Sequence, residues 1–265
     1  MLFWTRQSRL ITQAVFGLVV LVVFVAPIAT VVLAAFAGAW TGPLPSNLRF
    51  GHFDEALAGD NVASLAVSLQ TAFIAGAAAL ILGTWAAIAA RDTSGPVRRI
   101  VDGMFHLPIA LPSVVIGLGL LISFNSRPLL LGGTKWIVII AHTVLVLAFA
   151  FSAVSAALER LDPAYQQAAE SLGASRFRVL TRVTLPLLLP ALGAAAGLAV
   201  ALSMGELGAT VMVYPATWKT LPVTIFGLSD RGQVFSAAAC TTILLLTTLV
   251  ALVGLGSIRS RASAR

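Results

Sequence analysis

The chain has 265 residues, of which 58% are hydrophobic and only 10% charged, with a formal net charge of +7. A soluble chain carries about 25% charged residues, so this one lacks the polar side chains to cover a water-facing surface. Its basic residues lie between apolar runs rather than in one patch, which argues against a nucleic-acid footprint and for a protein that crosses a membrane several times.

Six stretches are long and apolar enough to cross a hydrocarbon core of roughly 30 Å at about 1.5 Å per residue: residues 11–37, 62–90, 101–124, 136–158, 187–212 and 233–257. In lipid the backbone must satisfy its own hydrogen bonds, so runs of this length are helices, and the short alternating segments of a membrane barrel are not visible. The expected fold is all-α with six transmembrane helices. It comprises an N-terminal segment 1–10, a transmembrane domain 11–257 with a cytoplasmic loop 159–186, and a C-terminal segment 258–265.

The first run, Leu10 to Ala37, follows Arg6 and Arg9 as a secretory signal would. It is about twice the length of a signal core and is read as a retained span. The polar ends, Met1–Gln7 and Ser260–Arg265, are expected to be mobile. Orientation follows the distribution of Lys and Arg. One side takes Arg6, Arg9, Arg91, Arg98, Arg99, Arg160, Arg176, Arg178, Arg182, Arg259, Arg261 and Arg265; the other takes Arg49, Arg127, Lys135, Lys219 and Arg231. Both termini are therefore expected on the cytoplasmic side of the plasma (inner) membrane.

The third run contains Pro108 and Pro112 beside Gly117 and Gly119, and Pro186 and Pro190 open the fifth. Proline removes a helix hydrogen bond and bends the axis; kinks for packing and a gate-lining bend are both compatible with this pattern. Cys240, the single cysteine, lies in an apolar run and is read as a packing residue, since a lone cysteine forms no intramolecular disulfide. His52, His106 and His142 are scattered without metal-ligand spacing. Ser113 and Ser123 have no partners for nucleophilic catalysis. Gly132-Gly133-Thr134-Lys135 lacks the first glycine of a phosphate loop, so this chain is not expected to hydrolyse ATP or to be an enzyme.

The loop between the fourth and fifth runs is the most informative part. Asp162-Pro163 is an N-cap followed by proline at the first helical position. Ala164 to Leu172 is helix-forming, and Gly173 suits the left-handed residue that ends a helix. Ser175 is placed to cap a second short helix carrying Arg176, Arg178 and Arg182, before Leu185-Pro186 returns to the membrane. A short helix with a smooth alanine face fits a groove on another protein; it equally fits the membrane surface.

Glu206 lies in the apolar fifth run, within Ser203-Met204-Gly205-Glu206-Leu207-Gly208-Ala209-Thr210. An ionised carboxylate there is costly and by default faces the bundle interior, a partner or water. On a continuous helix Ser203, Glu206 and Thr210 share a face. They line a translocation path, or Glu206 is a structural carboxylate tied to a neighbouring helix; Gly205 and Gly208 beside it suit tight packing. Beyond it, Tyr214 to Ile225 and Ser229 to Gly232 read as an ordered outer loop with Lys219 and Arg231 as its positive charges.

The cytoplasmic loop resembles the signature loop of ABC-importer permeases, which runs Glu-Ala-Ala, three residues, Gly, nine residues, Ile-x-Leu-Pro. Here it reads Gln167-Ala168-Ala169, Gly173 and Val183-Thr184-Leu185-Pro186, with both spacings intact and with Gln167 and Val183 as departures. Gln167 removes one possible ion pair with an ATPase. The Gly-Glu-Leu-Gly-Ala-Thr run followed by Thr220-Leu221-Pro222 is similar to the oxyanion branch of these permeases, which includes molybdate and sulfate importers. The stretch Ser203 to Gly232, with Leu44-Pro45-Ser46, His52-Phe53 and Trp136-Ile137-Val138, resembles the 2-aminoethylphosphonate importer permeases.

The resemblance implies a type I importer permease fold with a cytoplasmic coupling helix. Gln167, Ala168, Ala169, Leu172, Gly173, Leu185 and Pro186 would contact or shape the ATPase contact, and Ser203, Glu206 and Thr210 would line the path. It implies as partners cytoplasmic ATPase subunits, a second permease (identical or related), an extracytoplasmic solute-binding protein and the lipid bilayer, with no nucleic acid. No cofactor is expected on this chain; ATP and Mg²⁺ are used by the partner ATPase. The solute would be 2-aminoethylphosphonate, with molybdate or sulfate as alternatives. An ion-coupled secondary transporter using Glu206 is a rival from another class.

Overall fold

The computed structural model describes residues 6–91 and 93–263. The outermost parts of the two polar ends, residues 1–5 and 264–265, lie outside the described residues. Among the described residues the chain forms eleven helices and a single isolated bridge, Ala39 to Ser46. Five helices are long and apolar enough to cross a membrane: α1 (Arg6–Phe36), α3 (Gly59–Arg91), α6 (Lys135–Glu159), α8 (Arg176–Met204) and α11 (Val234–Ser263), the last through its Val234–Gly256 part. Between them lie α2 (Gly51–Ala56), α4 (Gly95–Ala110), α5 (Ser113–Ser123), α7 (Pro163–Ser171), α9 (Gly208–Val213) and α10 (Leu221–Asp230).

Two expected spans are corrected. The run 101–124 is not one straight helix: α4 and α5 meet at Leu111-Pro112 with a bend of 105°. Pro112 has no N–H to continue the ladder, and the residue before a proline is pushed to extended backbone; Leu111 has φ −100° and ψ 138°. Counting the bent pair as one span gives six. The run 187–212 is displaced at both ends. Its helix begins at Arg176, so the short helix expected after Ser175 is the first turn of α8, and it stops at Met204. Leu185-Pro186 therefore lies inside α8, whose ladder passes through a π-helical stretch, Leu180–Thr184. At the ends of the chain, helix already forms at Arg6 and persists to Ser263.

The chain divides into two compact units. One comprises residues 63–223 with 246–265, and its core rests on small residues. The buried positions of α3 within it are Ser64, Ser68, Thr71, Ala72, Ala75, Gly76, Ala79, Gly83, Thr84, Ala87 and Ala90, a stripe that lets neighbouring backbones approach. A Cβ on Gly83 would lie 2.9 Å from the backbone nitrogen of Phe151, so α3 and α6 touch almost backbone to backbone. Around this contact, Ala87, Ala90, Phe151, Val154, Leu158 and Leu188 form one buried cluster, and Ile137, Val138, Ala141, Ala209 and Val213 another.

The other unit comprises residues 1–62 with 224–245. In it α1 exposes most of its apolar side chains, as expected of a helix facing lipid or another subunit. Phe36 at its end packs edge-on against Phe50 and at a tilt against Phe53, which anchors the connection into α2.

Candidate functional site

The loop after α6 folds as its residues dictate. The Asp162 carboxylate accepts a hydrogen bond from Ala164 N at 2.9 Å and caps α7, with Pro163 in its first turn. At the other end Gly173 has φ +80°, Gly173 N donates to Glu170 O, and Ala174 N donates to Ala169 O. These are the two bonds of a Schellman terminus, which needs a left-handed residue between them. The Ser175 hydroxyl then accepts from Arg178 N and opens α8. Three tight local stops hold α7 out from the bundle as a short rigid peg.

What the peg presents is apolar. Tyr165, Ala168 and Leu172 fall at i, i+3 and i+7, on one side of α7 and its terminus. All three are exposed, Leu172 at 89%, and Phe177 beside the turn is 74% exposed. Gln167 also points to solvent, Ala169 is half-buried, Leu185 is half-buried within α8, and Pro186 is exposed. Gln166, not singled out from the sequence, donates from Nε2 to Thr184 Oγ1 at 3.0 Å and ties the peg to α8. Glu170 and Gln166 line a groove of about 640 Å³ beneath α7, together with Arg91, Leu158, Arg176 and Thr184.

A second constellation lies where the broken helices meet. Glu206 is not inside a helix: it sits in the Gly205–Leu207 break between α8 and α9 and accepts from Ala209 N at 2.7 Å, capping α9. Ser203 and Thr210 flank the break, both buried, and both bond to His142 of α6. His142 Nδ1 lies 2.7 Å from Ser203 Oγ, and Nε2 lies 2.8 Å from Thr210 Oγ1. Thr210 Oγ1 donates to Glu206 O, so it accepts from Nε2–H, while Nδ1 pairs with the Ser203 hydroxyl. The ring thus clamps both sides of the break. The three residues expected on one continuous helical stripe are brought together across a gap.

The same break packs on the α4–α5 bend. A Cβ on Gly117 of α5 would lie 2.7 Å from Ala209 Cα and O, and one on Gly208 would collide with Ser113 Oγ. Between the two breaks is a cavity of about 200 Å³, lined by Pro108, Ile109 and Leu111 at the bend, by His142 and Phe149 of α6, and by Ser203 and Glu206. It has apolar walls with one carboxylate, one imidazole and one hydroxyl. The aromatic loop beyond α9 is pinned nearby: Trp218 Nε1 donates to Thr71 Oγ1 at 2.9 Å, Leu221 N donates to Ser68 Oγ at 2.7 Å, and Lys135 Nζ sits 5.4 Å over the Trp218 ring.

No local signal marked His142, because its partners are 61 and 68 residues away in sequence. Its placement in an apolar run is the hint that intramembrane polar residues always carry.

The model of the family described as "Binding-protein-dependent transport system inner membrane component" matches residues 79–262. The chain is 43% identical over 261 residues, 98% of each chain, to a Salmonella paratyphi A protein provisionally named 2-aminoethylphosphonate transport system permease protein PhnV. It is 31% identical over 217 residues to the sulfate transport system permease protein CysT of Escherichia coli, covering 76% of this chain and 77% of that one. Among solved structures it is similar to a bacterial alginate ABC transporter in complex with an alginate pentasaccharide-bound periplasmic protein. That match has a TM-score of 0.74 at 17% identity over 97% of this chain and 95% of that one, a likeness of fold.

Proposed function

The chain belongs to the binding-protein-dependent transport system inner membrane components, as a multi-pass permease of an ABC importer, and from that premise we propose that the solute it passes is 2-aminoethylphosphonate. The observation that carries the solute is the 43% identity to the Salmonella permease over nearly the full length of both chains. The 31% identity to the sulfate permease over a shorter stretch keeps an oxyanion as the second reading. Family membership displaces the ion-coupled transporter suggested by Glu206 alone.

In this reading cytoplasmic ATPase subunits grip α7 through Tyr165, Ala168 and Leu172, with Gln167, Ala169 and Gly173 shaping the contact. ATP and Mg²⁺ belong to those subunits, and this chain holds no cofactor. A second permease, identical or related, completes the path, a solute-binding protein delivers from the outer side, and both termini are cytoplasmic. Supporting the coupling role, α7 is tied to α8 through Gln166 and Thr184, and α8 ends at the Glu206 break. Glu159 at the end of α6 pairs with Arg98 of α4 at 2.8 Å, and α4 ends at the bend on the other side of the same cavity. A rigid-body displacement of α7 when the ATPases close would thus reach both edges of the cavity that Ser203 and Glu206 line, with Thr210 buried behind it.

The test is uptake of labelled 2-aminoethylphosphonate, sulfate and molybdate by cells lacking this gene and complemented with it. Restoration of 2-aminoethylphosphonate uptake alone is expected; restoration of sulfate or molybdate uptake instead would overturn the solute reading.

A further inference from the structure

The unit formed by residues 1–62 and 224–245 contains a polar cavity of about 400 Å³ that the coupling and path residues do not use. Its walls include Arg49, His52, Glu55, Asn61, Gln233 and Ser236. His52, in the first turn of α2, is buried beneath it. Its Nε2 lies 3.1 Å from the Ala37 carbonyl and 3.3 Å from Arg49 Nη2, while Nδ1 lies 3.4 Å from Ser236 Oγ and 3.9 Å from Glu55 Oε2. Ser236 Oγ donates to the same Glu55 oxygen at 2.9 Å.

The buried ring therefore stands between a guanidinium and a carboxylate, one against each nitrogen, and keeps them from pairing with each other. Among the described residues Arg49 has no carboxylate within ion-pair distance, and Glu55 has no Lys or Arg within it. Unpaired charges on a surface are ordinary. Two of opposite sign on the wall of one cavity, spaced by a buried ring and accompanied by the amides of Asn61 and Gln233, form a charge pattern with two ends. A guanidinium fork matches the oxygens of a phosphonate, sulfonate or phosphate, and a carboxylate matches an ammonium. A simple dianion would satisfy the Arg49 end and be repelled at the Glu55 end.

We propose that this cavity is a receiving site for a small zwitterion bearing an oxoanion at one end and an ammonium at the other, with Arg49 taking the oxoanion and Glu55 the ammonium. The charge pattern stands on its own; the choice of 2-aminoethylphosphonate as probe and the placement of the cavity on the outer side rest on the proposed function.

The test is equilibrium binding of labelled 2-aminoethylphosphonate and of taurine, a sulfonate zwitterion, to the full chain in nanodiscs. Ethylphosphonate and ethylamine serve as single-ended competitors. The wild type should prefer both zwitterions over either competitor. Arg49→Gln should weaken zwitterion binding by roughly tenfold or more, Arg49→Lys should recover part of it, and Glu55→Gln should erase the preference for zwitterion over ethylphosphonate. Both side chains face the cavity, so the variants should elute as the wild type does on gel filtration. The proposal is overturned if the wild type binds neither zwitterion, prefers ethylphosphonate, or binds identically in both glutamine variants. Cell uptake separates the two readings. If the wild type imports taurine but not 2-aminoethylphosphonate, the solute reading falls and this site stands. If it imports 2-aminoethylphosphonate and the nanodisc binding is unchanged in both glutamine variants, this site alone falls.

Discussion

Replacement of Gly173 probes α7 without disturbing the bundle. The residue has φ +80°, and a Cβ built on it meets nothing within 4 Å, so a substitution there is penalised by backbone conformation and not by collision. Forcing an L-residue into the left-handed region costs roughly 1–2 kcal/mol. The chain avoids that cost by opening the turn, which breaks the Gly173 N to Glu170 O and Ala174 N to Ala169 O bonds and swings Leu172 off the Tyr165–Ala168 face. At 1.4 kcal/mol per factor of ten, Gly173→Ala should weaken ATPase binding by roughly five- to thirtyfold. Gly173→Val, β-branched, should do worse, and Gly173→Asn, which tolerates the left-handed region, should lose least. The assay is titration of the ATPase subunit onto the permease in nanodiscs, with thermal unfolding of the permease as the control. Unfolding should be unchanged in all three variants because the turn is exposed. If valine binds as tightly as glycine, or asparagine is as poor as valine, the conformational argument is refuted.

Three further perturbations bear on the cavity and its links. His142→Phe orphans the buried Ser203 hydroxyl and should cost about 1–3 kcal/mol in detergent unfolding, while adding Ser203→Ala should return part of the loss; an additive double variant would contradict the clamp. Gly117→Ala drives a Cβ into the Ala209 backbone and should lower stability by about 1–3 kcal/mol and depress uptake, so an unchanged melting temperature would place α5 and α9 further apart than described. The Arg98–Glu159 pair is partly exposed and should show a coupling energy of about 0.2–1 kcal/mol in a double-mutant cycle, falling with added salt; zero coupling at low salt would remove it as a link between α4 and α6.

The short helix α7 is legible in the sequence because its determinants are local. Asp162, Pro163, Gly173 and Ser175 each act on backbone groups within a few residues, and the helix begins and ends where they place it. The breaks in the third and fifth runs were harder to read, since an apolar run has the same composition whether its helix continues or stops. Pro112 was visible, but a proline in a membrane helix can kink gently or turn the chain through 105°, and only the packing of α5 on α9 decides. In sequence, Gly205 and Gly208 beside Glu206 suit close packing around a carboxylate on a helix. The structure places Gly205 in the break and Gly208 at the start of α9, where it does pack closely against Ser113, and Glu206 between them caps α9. His142 depends on partners 61 and 68 residues away; Arg49, His52 and Glu55 lie three residues apart, and what the sequence does not show there is the closure of Ala37 and Ser236 onto the His52 ring.

The central claim is that α7 docks an ATPase, and one cross-linking measurement addresses it directly. Cys240 is the only cysteine and is buried, so Leu172→Cys in a Cys240→Ala background places a single accessible thiol on the exposed tip of the peg. In the assembled complex this thiol should cross-link to the ATPase subunit through a short bifunctional reagent, be shielded from maleimide, and lose both properties when Gly173→Val is added. A thiol that labels freely with maleimide in a complex that imports solute, and gives no cross-link to the ATPase, would contradict the account.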